Sequence, residues 1–291
     1  MIALIGASGQ LGAALSEAWA ARALATPTHA QLDFLDRAAV VGFLDRARPR
    51  IFVNCSAFHN VDACEREPAS AFAANALAVD AAAEACAERG IAFATMSTDY
   101  VFDGTAGRPY DETDAPNPLS AYGASKLAGE LLTRRHGPRH YIFRTSGVFG
   151  TSGTSNKGYT FIERILQQAE HGEPLRIVDN MTFSPSFAPH IARVVVDLID
   201  REAYGTHHVT GGGATTWYAF AKAALDGAGL HPDLTAIQYD VFGSRTRRPL
   251  FSALHSVSLP AAGVEPAPAW EEGVAAYLAA RAQFSQRGEV R

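Results

Sequence analysis

Hydrophobic residues in the first half of the chain come in short runs separated by longer stretches of mixed polarity. Four of these runs are typical of strands buried in a parallel sheet. They cover residues 2–5, 51–53, 91–95 and 141–143. The stretches between them, some rich in alanine, favour helices at residues 11–21, 37–47, 69–89 and 119–135. This alternation predicts an α/β fold of right-handed βαβ units, with a Rossmann-type doubly wound parallel sheet.

The regular alternation weakens after about residue 150. Residues 150–158 are dominated by Gly, Ser, Thr and Asn, which predicts a loop. Further helices are expected at residues 161–169, 191–199 and 217–225. We therefore expect a dinucleotide-binding domain over residues 1–150 and a smaller C-terminal lobe over residues 151–291. That lobe is expected mainly to bind substrate, with at least one segment returning to the main sheet.

Composition narrows the classes of function. The chain has 291 residues, of which 47% are hydrophobic and 19% charged, which is enough for a large core and argues against disorder. A net charge of −5 and the absence of a long apolar run give no reason to expect nucleic-acid or membrane partners. The first predicted strand follows Met1 directly, leaving no room for a signal segment, and the three cysteines form no metal-ligand pattern. We expect a cytoplasmic protein without a metal site.

Three glycines lie between the first predicted strand and the first predicted helix. A phosphate-binding turn needs glycine where the backbone approaches a pyrophosphate and where helix packs on strand. The helix N-terminus adds unpaired N–H groups and a partial positive charge. Because the loop directly follows a buried strand, its glycines are more specific than an isolated triplet. They predict a dinucleotide site formed by Gly6, Gly9, Gln10, Leu11 and Gly12.

The choice of cofactor depends on the end of the second strand. An acidic residue there would favour NAD by bonding the ribose 2′-hydroxyl. Residues 26–29 contain none, and Asp33 follows later, where it could lie near the adenine or cap the helix that begins near Asp36. Ala57 and Phe58 follow the third strand and are expected to line the cofactor, although Phe58 fits a core position equally well. We expect NADPH, with NADH as the alternative.

A tyrosine and a lysine four residues apart are the first candidate catalytic pair. On a helix, Tyr122 and Lys126 share one face. A tyrosine titrates near pH ~10 unless a neighbouring cation stabilises its phenolate, and Lys126 supplies such a charge. Lys126 also suits a hydrogen bond to the nicotinamide ribose. Tyr122 would then donate a proton to a carbonyl oxygen as hydride reaches the carbon. Alone, this spacing is common on solvated helix faces.

The second candidate group follows the fourth predicted strand. Residues 97–100 (STDY) stand where the carboxyl ends of Rossmann-type strands present active-site groups. A hydroxyl from Ser97 or Thr98 would polarise a substrate carbonyl, although either residue could instead form a turn. The glycine loop, the strand-end hydroxyls and the Tyr122–Lys126 pair occur in the order that the chemistry needs. Together they predict a nicotinamide-dependent carbonyl reductase.

Several sequence blocks also carry a family resemblance. They are the glycine loop, residues 54–58 (NCSAF), 97–104 (STDYVFDG), 122–130 (YGASKLAGE), 144–146 (RTS) and 247–249 (RRP). Over nearly its whole length the chain resembles the dTDP-4-dehydrorhamnose reductase family of the extended short-chain dehydrogenase/reductases. The resemblance implies a catalytic triad of Thr98, Tyr122 and Lys126, with NAD(P)H as hydride donor. It implies a nucleoside-diphosphate 4-keto-6-deoxysugar as substrate, and it allows a homodimer.

The expected substrate contacts combine this resemblance with residue chemistry. A guanidinium group bonds a pyrophosphate in bidentate fashion, which suits Arg248, although Arg247 and Arg248 could instead form a surface ion-pair patch. The expected substrate-binding residues are Ser97, Thr98, Asp99, Tyr100 and Arg248.

Departures from the family pattern and one alternative function are also evident. Sugar-nucleotide 4,6-dehydratases place a glutamate after the aspartate of this block, whereas Tyr100 follows Asp99 here, which argues against dehydration. The tryptophan that usually follows the RTS block is replaced by Gly147, which would remove a flat wall of the sugar pocket. A magnesium-binding glutamate of some members falls at Ala14. The alternative is a non-catalytic NADP-binding regulatory subunit of the same fold.

Overall fold

The structure is a computed structural model that describes residues 1–151, 160–242 and 246–286. Most of the loop predicted at residues 150–158 lies outside these ranges. The strands are β1 Ile2–Ile5, β2 Leu24–Ala25, β3 Ile51–Asn54, β4 Ala92–Thr98, β5 His140–Thr145, β6 Val148–Phe149, β7 Leu175–Val178, β8 Thr182–Phe183, β9 Ser186–Phe187, β10 Gly205–His208, β11 Thr215–Thr216 and β12 Leu234–Ile237.

Helices connect most of these strands. The α-helices are α1 Gln10–Ala18, α2 Arg37–Ala47, α3 Val61–Arg66, α4 Pro68–Phe72, α5 Ala78–Glu88, α6 Ala121–Arg134, α7 Phe161–Glu170, α8 Ala188–Asp200, α9 Trp217–Gly227, α10 Ser258–Ala261 and α11 Trp270–Gln286. A π-helical segment, Ala73–Leu77, joins α4 to α5, and short 3₁₀ turns cover Asp99–Val101 and Tyr239–Phe242.

A six-stranded parallel sheet forms the centre of the fold. Its strand order is β10-β5-β4-β3-β1-β2, and β10 comes from the second half of the chain. Helices α1 and α8 pack on one face of the sheet, and α2 and α5 pack on the other. Because both faces are covered, the strands are apolar almost throughout, as the sequence pattern indicated. The predicted α/β doubly wound fold is confirmed.

The helix predicted at residues 69–89 is interrupted by the π-helical segment. Helix α6 packs so closely there that a Cβ built on Gly129 would lie 2.2 Å from the carbonyl oxygen of Asn75. Alanine periodicity gave no sign of this irregularity, because a π turn inserts one residue without changing the composition. The π-helical segment contains Asn75, whose side chain bonds Phe58 in the loop after β3.

The C-terminal half builds a second hydrophobic cluster. Helices α7, α9 and α11 pack around aromatic side chains, and short strand pairs β7–β12 and β8–β11 lie beside them. The aromatic members are Phe149, Phe161, Phe183, Phe187, Trp217, Tyr218, Phe220, Trp270 and Tyr277. The Phe183 and Trp217 rings stack face to face, with centroids 3.9 Å apart. This cluster is separate from the two that cover the sheet.

Gly147 lies against this aromatic cluster in a backbone conformation that suits glycine. Its φ angle is +50°, and a Cβ built there would lie 2.3 Å from Cε2 of Phe183. The Phe183 ring therefore fills the space that a side chain at position 147 would need. The absence of a tryptophan at this position leaves no void there, because another aromatic ring packs against the glycine.

Two further observations concern the chain as a whole. In the described ranges, no helix has both the length and the apolarity needed to cross a membrane. Cys55, Cys64 and Cys86 are free thiols, and burial raises the pKa of each. These thiols therefore have little thiolate character at neutral pH.

Replacing Gly147 by alanine should destabilise the protein through two separate effects. The left-handed backbone costs an L-residue about 1–2 kcal/mol, and displacing the buried Phe183 ring costs a further ~1–3 kcal/mol. We expect the free energy of unfolding, measured by urea denaturation, to fall by the sum of these two costs.

Gly107→Ala is the matched control for this change. Gly107 has a φ angle of +66°, but a Cβ there would meet nothing within 4 Å. The unfolding free energy of the Gly107→Ala variant should therefore fall only by the cost of the left-handed backbone. Equal losses of stability in the two variants would contradict the packing role of Phe183.

Candidate active site

The glycine loop leaves the N-terminus of α1 open to an anion. Gly9 is the N-cap of α1, no side chain caps the helix within the described chain, and the first turn contains no acidic residue. A Cβ on Gly12 would lie 2.1 Å from the carbonyl oxygen of Gly6, and one on Gly6 would lie 2.7 Å from the backbone carbon of Cys55. A Cβ on Gly9 would come no closer than 3.4 Å. Packing therefore requires Gly6 and Gly12, whereas Gly9 leaves room for an approaching ligand.

The next two residues of the loop have different surroundings. Leu11 is 9% exposed and packs into the core beneath the sheet, so only its backbone can reach a cofactor. The side-chain oxygen of Gln10 is buried and finds no hydrogen-bond partner in the described part of the chain. Buried polar atoms in native proteins nearly always have a partner. An unsatisfied oxygen at a phosphate-binding loop fits a site that is completed by a ligand.

The end of β2 carries no acidic residue in the structure either. Strand β2 ends at Ala25, and Thr28 and His29 beyond it are exposed. Asp33 is also exposed, and its carboxylate accepts a hydrogen bond of 2.9 Å from the backbone N–H of Leu35. The N-cap of α2 is Asp36, whose carboxylate accepts hydrogen bonds from the backbone N–H groups of Ala38 and Ala39. The contact of Asp33 with the cofactor stays a prediction.

Asn75 is a structural residue of the site that the sequence did not reveal. It is 1% exposed, and its side chain bonds both the N–H and the carbonyl oxygen of Phe58, each at 2.9 Å. Its amide nitrogen also donates to the Ser125 hydroxyl at 3.0 Å. Asn75 thus fixes the partly buried Ala57–Phe58 turn after β3 to the middle of α6. The only sequence signal was an amide in an otherwise alanine-rich helix.

Helix α6 is anchored at its N-terminus and packed tightly within its first turn. The Ser120 hydroxyl accepts from the N–H of Gly123 at 3.2 Å, and the Glu65 carboxylate accepts from the N–H of Ala121 at 2.6 Å. A Cβ on Gly123 would lie 2.2 Å from the carbonyl oxygen of Tyr100. Glycine is therefore required for α6 to approach the turn that follows β4.

This approach brings together the residues predicted to carry the chemistry. The Tyr122 side chain lies beside the Thr98 hydroxyl, and its ring lies edge-on to Tyr100 with centroids 6.1 Å apart. The Thr98 hydroxyl donates to the Asp99 carboxylate at 3.1 Å and accepts from the backbone N–H of Tyr100 at 3.2 Å. Lys126 lies one turn along α6 from Tyr122 and is 4% exposed.

The protonation of the pair follows from burial. Burial raises the pKa of Tyr122, and the neighbouring Thr98 hydroxyl opposes that rise only in part. Tyr122 is therefore a protonated phenol at neutral pH, the form that donates a proton. Burial lowers the pKa of Lys126 to about 8, with the charges of Glu130 and Cys55 acting in the opposite direction. At pH 7 the lysine is still mostly an ammonium ion.

Ser97 and Thr98 point to opposite sides of β4, as successive strand residues do. The Ser97 hydroxyl is buried and donates to Glu130 at 2.6 Å. Arg144 bonds the same carboxylate through Nε at 2.9 Å and through a terminal nitrogen at 2.7 Å. Ser97 thus belongs to a buried ion-pair network behind the site. Its predicted contact with substrate is not tested by this arrangement and stays a prediction.

Asp99 also directs its side chain into the protein. It is 5% exposed, and its carboxylate accepts hydrogen bonds from Ser252 at 2.6 Å and Ser146 at 2.9 Å, besides the bond from Thr98. Burial raises its pKa to about 6, while the three hydroxyl groups act to lower it. A contact between Asp99 and substrate would therefore have to come from its backbone.

Arg248 reaches this region from the C-terminal half. A terminal nitrogen of its guanidinium bonds both carboxylate oxygens of Asp62 at 3.2 Å, and the side chain lies beside Tyr100. Its Nε is buried and has no partner in the described ranges. Arg247, in contrast, is exposed. Arg248 thus lies beside Tyr100 with guanidinium N–H groups that could still donate hydrogen bonds. Its contact with a pyrophosphate stays a prediction.

Comparisons with known proteins agree with this geometry. Residues 1–283 match the RmlD substrate binding domain family. The chain is 33% identical to the dTDP-4-dehydrorhamnose reductase of Salmonella typhimurium over 289 residues, which cover 94% of this chain and 95% of the relative. It is 32% identical to the spore coat polysaccharide biosynthesis protein SpsK of Bacillus subtilis over 282 residues, covering 96% and 97% of the two chains.

Solved structures give the same result. The dTDP-4-dehydrorhamnose reductase of Bacillus anthracis, in complex with NADP, superposes with a TM-score of 0.91 at 29% identity, covering 95% of this chain and 98% of the other. The enzyme of that name from Clostridium acetobutylicum superposes with a TM-score of 0.90 at 31% identity and the same coverage. This chain therefore belongs to the dTDP-4-dehydrorhamnose reductase family of the extended short-chain dehydrogenase/reductases.

Proposed function

We propose that this protein uses NADPH to reduce the 4-keto group of a nucleoside-diphosphate 4-keto-6-deoxysugar. The observation that carries the proposal is the close approach of α6 to the turn after β4, which brings Tyr122 and Lys126 of one helix to Thr98 at the carboxyl end of the strand. The relatives named dTDP-4-dehydrorhamnose reductase, which match nearly the full chain, support the substrate class. No structural observation favours a non-catalytic subunit.

The glycine loop and its surroundings suit NADPH. Gly9 and the backbone N–H groups of residues 10–12 would hold the pyrophosphate of the cofactor, and the unsatisfied Gln10 oxygen would accept a hydrogen bond from an N–H or O–H group of the cofactor. The absence of an acid at the end of β2 suits a 2′-phosphate, and a relative from Bacillus anthracis has been solved with NADP. The bound cofactor would supply hydride to the carbonyl carbon. Asp33, Ala57, Phe58 and Lys126 complete the proposed cofactor site.

Protein groups would supply the proton and hold the carbonyl. Tyr122 donates its phenol proton to the carbonyl oxygen, which becomes the product hydroxyl, and a phenolate remains. The ammonium of Lys126 favours that phenolate by its positive charge. The Thr98 hydroxyl, which lies beside the phenol, would polarise the same carbonyl. Each of these groups is protonated at neutral pH, which matches the needs of a reduction.

The nucleotide end of the substrate would lie beside Tyr100. There Arg248 would bond a pyrophosphate with its spare guanidinium capacity. Ser97, Asp99 and Tyr100 would contribute to the same substrate site. We also propose a cytoplasmic location and a homodimeric assembly, which the sequence led us to expect.

The proposal is tested by following NADPH oxidation by absorbance. The substrate, dTDP-4-keto-6-deoxyglucose, is offered alone and after treatment with a 3,5-epimerase. Turnover that requires the epimerase would assign the protein to reduction of the epimerised sugar. Turnover without it would indicate a different deoxysugar product. Protein that binds NADPH but oxidises it with neither sugar would contradict reduction of either form.

Tyr122→Phe should remove turnover while leaving cofactor binding nearly unchanged. The variant keeps the aromatic ring but lacks the proton donor, and loss of a general acid typically lowers kcat by about 10²–10⁴-fold. We expect the Kd for NADPH, measured by fluorescence, to stay within about twofold, since the phenol is proposed to act on the carbonyl.

Tyr141→Phe is the matched control. Tyr141 is 1% exposed, and among the described residues its hydroxyl bonds only the carbonyl oxygen of Ile199, at 3.5 Å. Its kcat should match that of the wild type. A Tyr122→Phe variant that loses NADPH binding as strongly as turnover would show that the role assigned to Tyr122 is wrong.

Lys126→Met should stabilise the protein below about pH 8 while abolishing turnover. Folding lowers the pKa of Lys126 to about 8, so burying its charge costs stability at every pH below that value. This cost disappears as pH rises from 8 toward the pKa of a lysine in the unfolded chain. In that range the folded protein has released the proton, whereas the unfolded chain still binds it. The difference in unfolding free energy between variant and wild type should reach at most about 3 kcal/mol near pH 7. It should shrink by pH 10, and a difference independent of pH would contradict the buried ammonium.

A further inference from the structure

A carboxylate from the N-terminal half of the chain holds the Arg248 side chain. Asp62 lies in the first turn of α3. One of its oxygens accepts a hydrogen bond from the Thr246 hydroxyl at 2.7 Å, and a terminal guanidinium nitrogen of Arg248 bonds both oxygens at 3.2 Å. A single side chain of α3 therefore joins two residues of the C-terminal half.

The backbone that carries Arg248 is also fixed from a second side. The Tyr239 phenol donates to the carbonyl oxygen of Thr246 at 2.6 Å, and the backbone N–H of Tyr239 donates to the Asn180 side chain at 2.7 Å. Thr246 itself is buried. Since the backbone is held at Thr246, the direction of the guanidinium depends mainly on the groups that the Arg248 side chain bonds.

Arg248 has N–H groups that its bonds to Asp62 do not use. A guanidinium carries five N–H donors in a rigid fork, and the bonds to Asp62 involve one terminal nitrogen. Nε is buried and has no partner in the described part of the chain. The side chain lies beside Tyr100, whose ring is edge-on to that of Tyr122 with centroids 6.1 Å apart. An anion bound by Arg248 would therefore lie near the proposed proton donor.

A carboxylate next to this arginine has two opposite effects on an anionic ligand. Its charge repels the ligand, but the Asp62 side chain is 46% exposed, so water and salt screen that repulsion. An arginine side chain that is not held loses much of its rotamer freedom when a ligand fixes it, which lowers affinity. A bond that fixes the guanidinium beforehand removes this loss. We therefore expect the effect on orientation to exceed the repulsion.

We propose that Asp62 is a positioning residue that holds the Arg248 guanidinium beside Tyr100, so that its remaining N–H groups can bond the diphosphate of the sugar nucleotide. The inference rests on the proposed function, which puts the nucleotide end of the substrate there. Asp62 acts through Arg248 and touches neither the diphosphate nor the cofactor. Nucleotide binding thereby depends on the contact between α3 and the C-terminal half.

The test is a double-mutant cycle of Asp62→Asn and Arg248→Gln in the full-length protein saturated with NADP⁺. The probes are dTDP and UDP, and their dissociation constants are measured by calorimetry, which needs no turnover. Arg248→Gln should weaken probe binding about 10- to 100-fold, because hydrogen bonds between charged groups are lost. Asp62→Asn should weaken it about 3- to 10-fold, the effect of having to order one long side chain. In the Arg248→Gln background, Asp62→Asn should change the Kd less than about twofold.

Steady-state kinetics give a second readout. Asp62→Asn should raise the KM for the keto sugar nucleotide about 3- to 10-fold and leave kcat within about twofold. The reason is that Arg248 binds a part of the substrate that does not react, so its contacts are the same in the ground state and the transition state. The Kd of Asp62→Asn for NADPH should stay within about twofold of the wild type.

Asp200→Asn is the matched control. The Asp200 side chain is 36% exposed and its carboxylate bonds two arginines, Arg22 at 2.6 Å and Arg50 at 3.3 Å. Arg50 directly precedes β3, so this cluster lies at the amino edge of the sheet, opposite the proposed site. The variant should lower the unfolding temperature and leave the affinity for dTDP and UDP unchanged.

Each outcome bears on the inference. Unchanged or tighter probe binding by Asp62→Asn would overturn the positioning role, as would an equal loss in both backgrounds or an equal loss of NADPH affinity. A wild type that binds neither probe, or an Arg248→Gln variant with wild-type affinity, would overturn it too. The proposed function would survive each of these results. A wild type that binds a probe through Arg248 but reduces no keto sugar would instead contradict the proposed function and leave the roles of Arg248 and Asp62 standing.

Discussion

The close approach of helix α6 to the turn after β4 is the contact on which the rest of the site depends. Gly123 permits it, because a side chain there would overlap the backbone of Tyr100. The approach places the Tyr122 phenol against the Thr98 hydroxyl at the carboxyl edge of the sheet. Every other feature of the site either holds α6 in this position or uses the geometry that results. Glu65 and Ser120 hold the start of the helix, and Asn75 and Glu130 hold its middle and end.

The site is built from groups that a stable core would not contain. Lys126, Asp99 and the Glu130–Arg144 pair are almost completely buried, and charged groups lose hydration when they leave water. The pKa values of Lys126 and Asp99 shift toward the neutral form for this reason. Large apolar clusters on both sides of the sheet and in the C-terminal half supply the stability that offsets these costs. A reductase needs the buried charges, because a preorganised site with little water strengthens each electrostatic interaction.

The C-terminal half contributes more than a cover for substrate. Ser252 bonds Asp99, and Arg248 bonds Asp62 and lies beside Tyr100, so this half is attached to the N-terminal half next to the proposed catalytic residues. Its aromatic cluster extends to Gly147, where Phe183 takes the space of a side chain. At position 147, where the family usually has tryptophan, the glycine is therefore covered by the Phe183 ring from the distant strand β8.

The sequence alone determined the fold class and the family, and it predicted the glycine loop as a cofactor site and Tyr122 with Lys126 as the reacting pair. These follow from local patterns: apolar runs of strand length, glycines at a strand–helix junction, and helical spacing between Tyr122 and Lys126. The sequence could not reveal the π-helical segment, the contacts of Asn75, the partners of Ser97 and Asp99, or the ring that packs on Gly147. Those depend on which residues meet across distances of tens to hundreds of positions, as Ser252 meets Asp99. Side-chain type limits what a residue can bond, but only tertiary packing decides which partner is within reach, and burial then sets the charge that the residue carries.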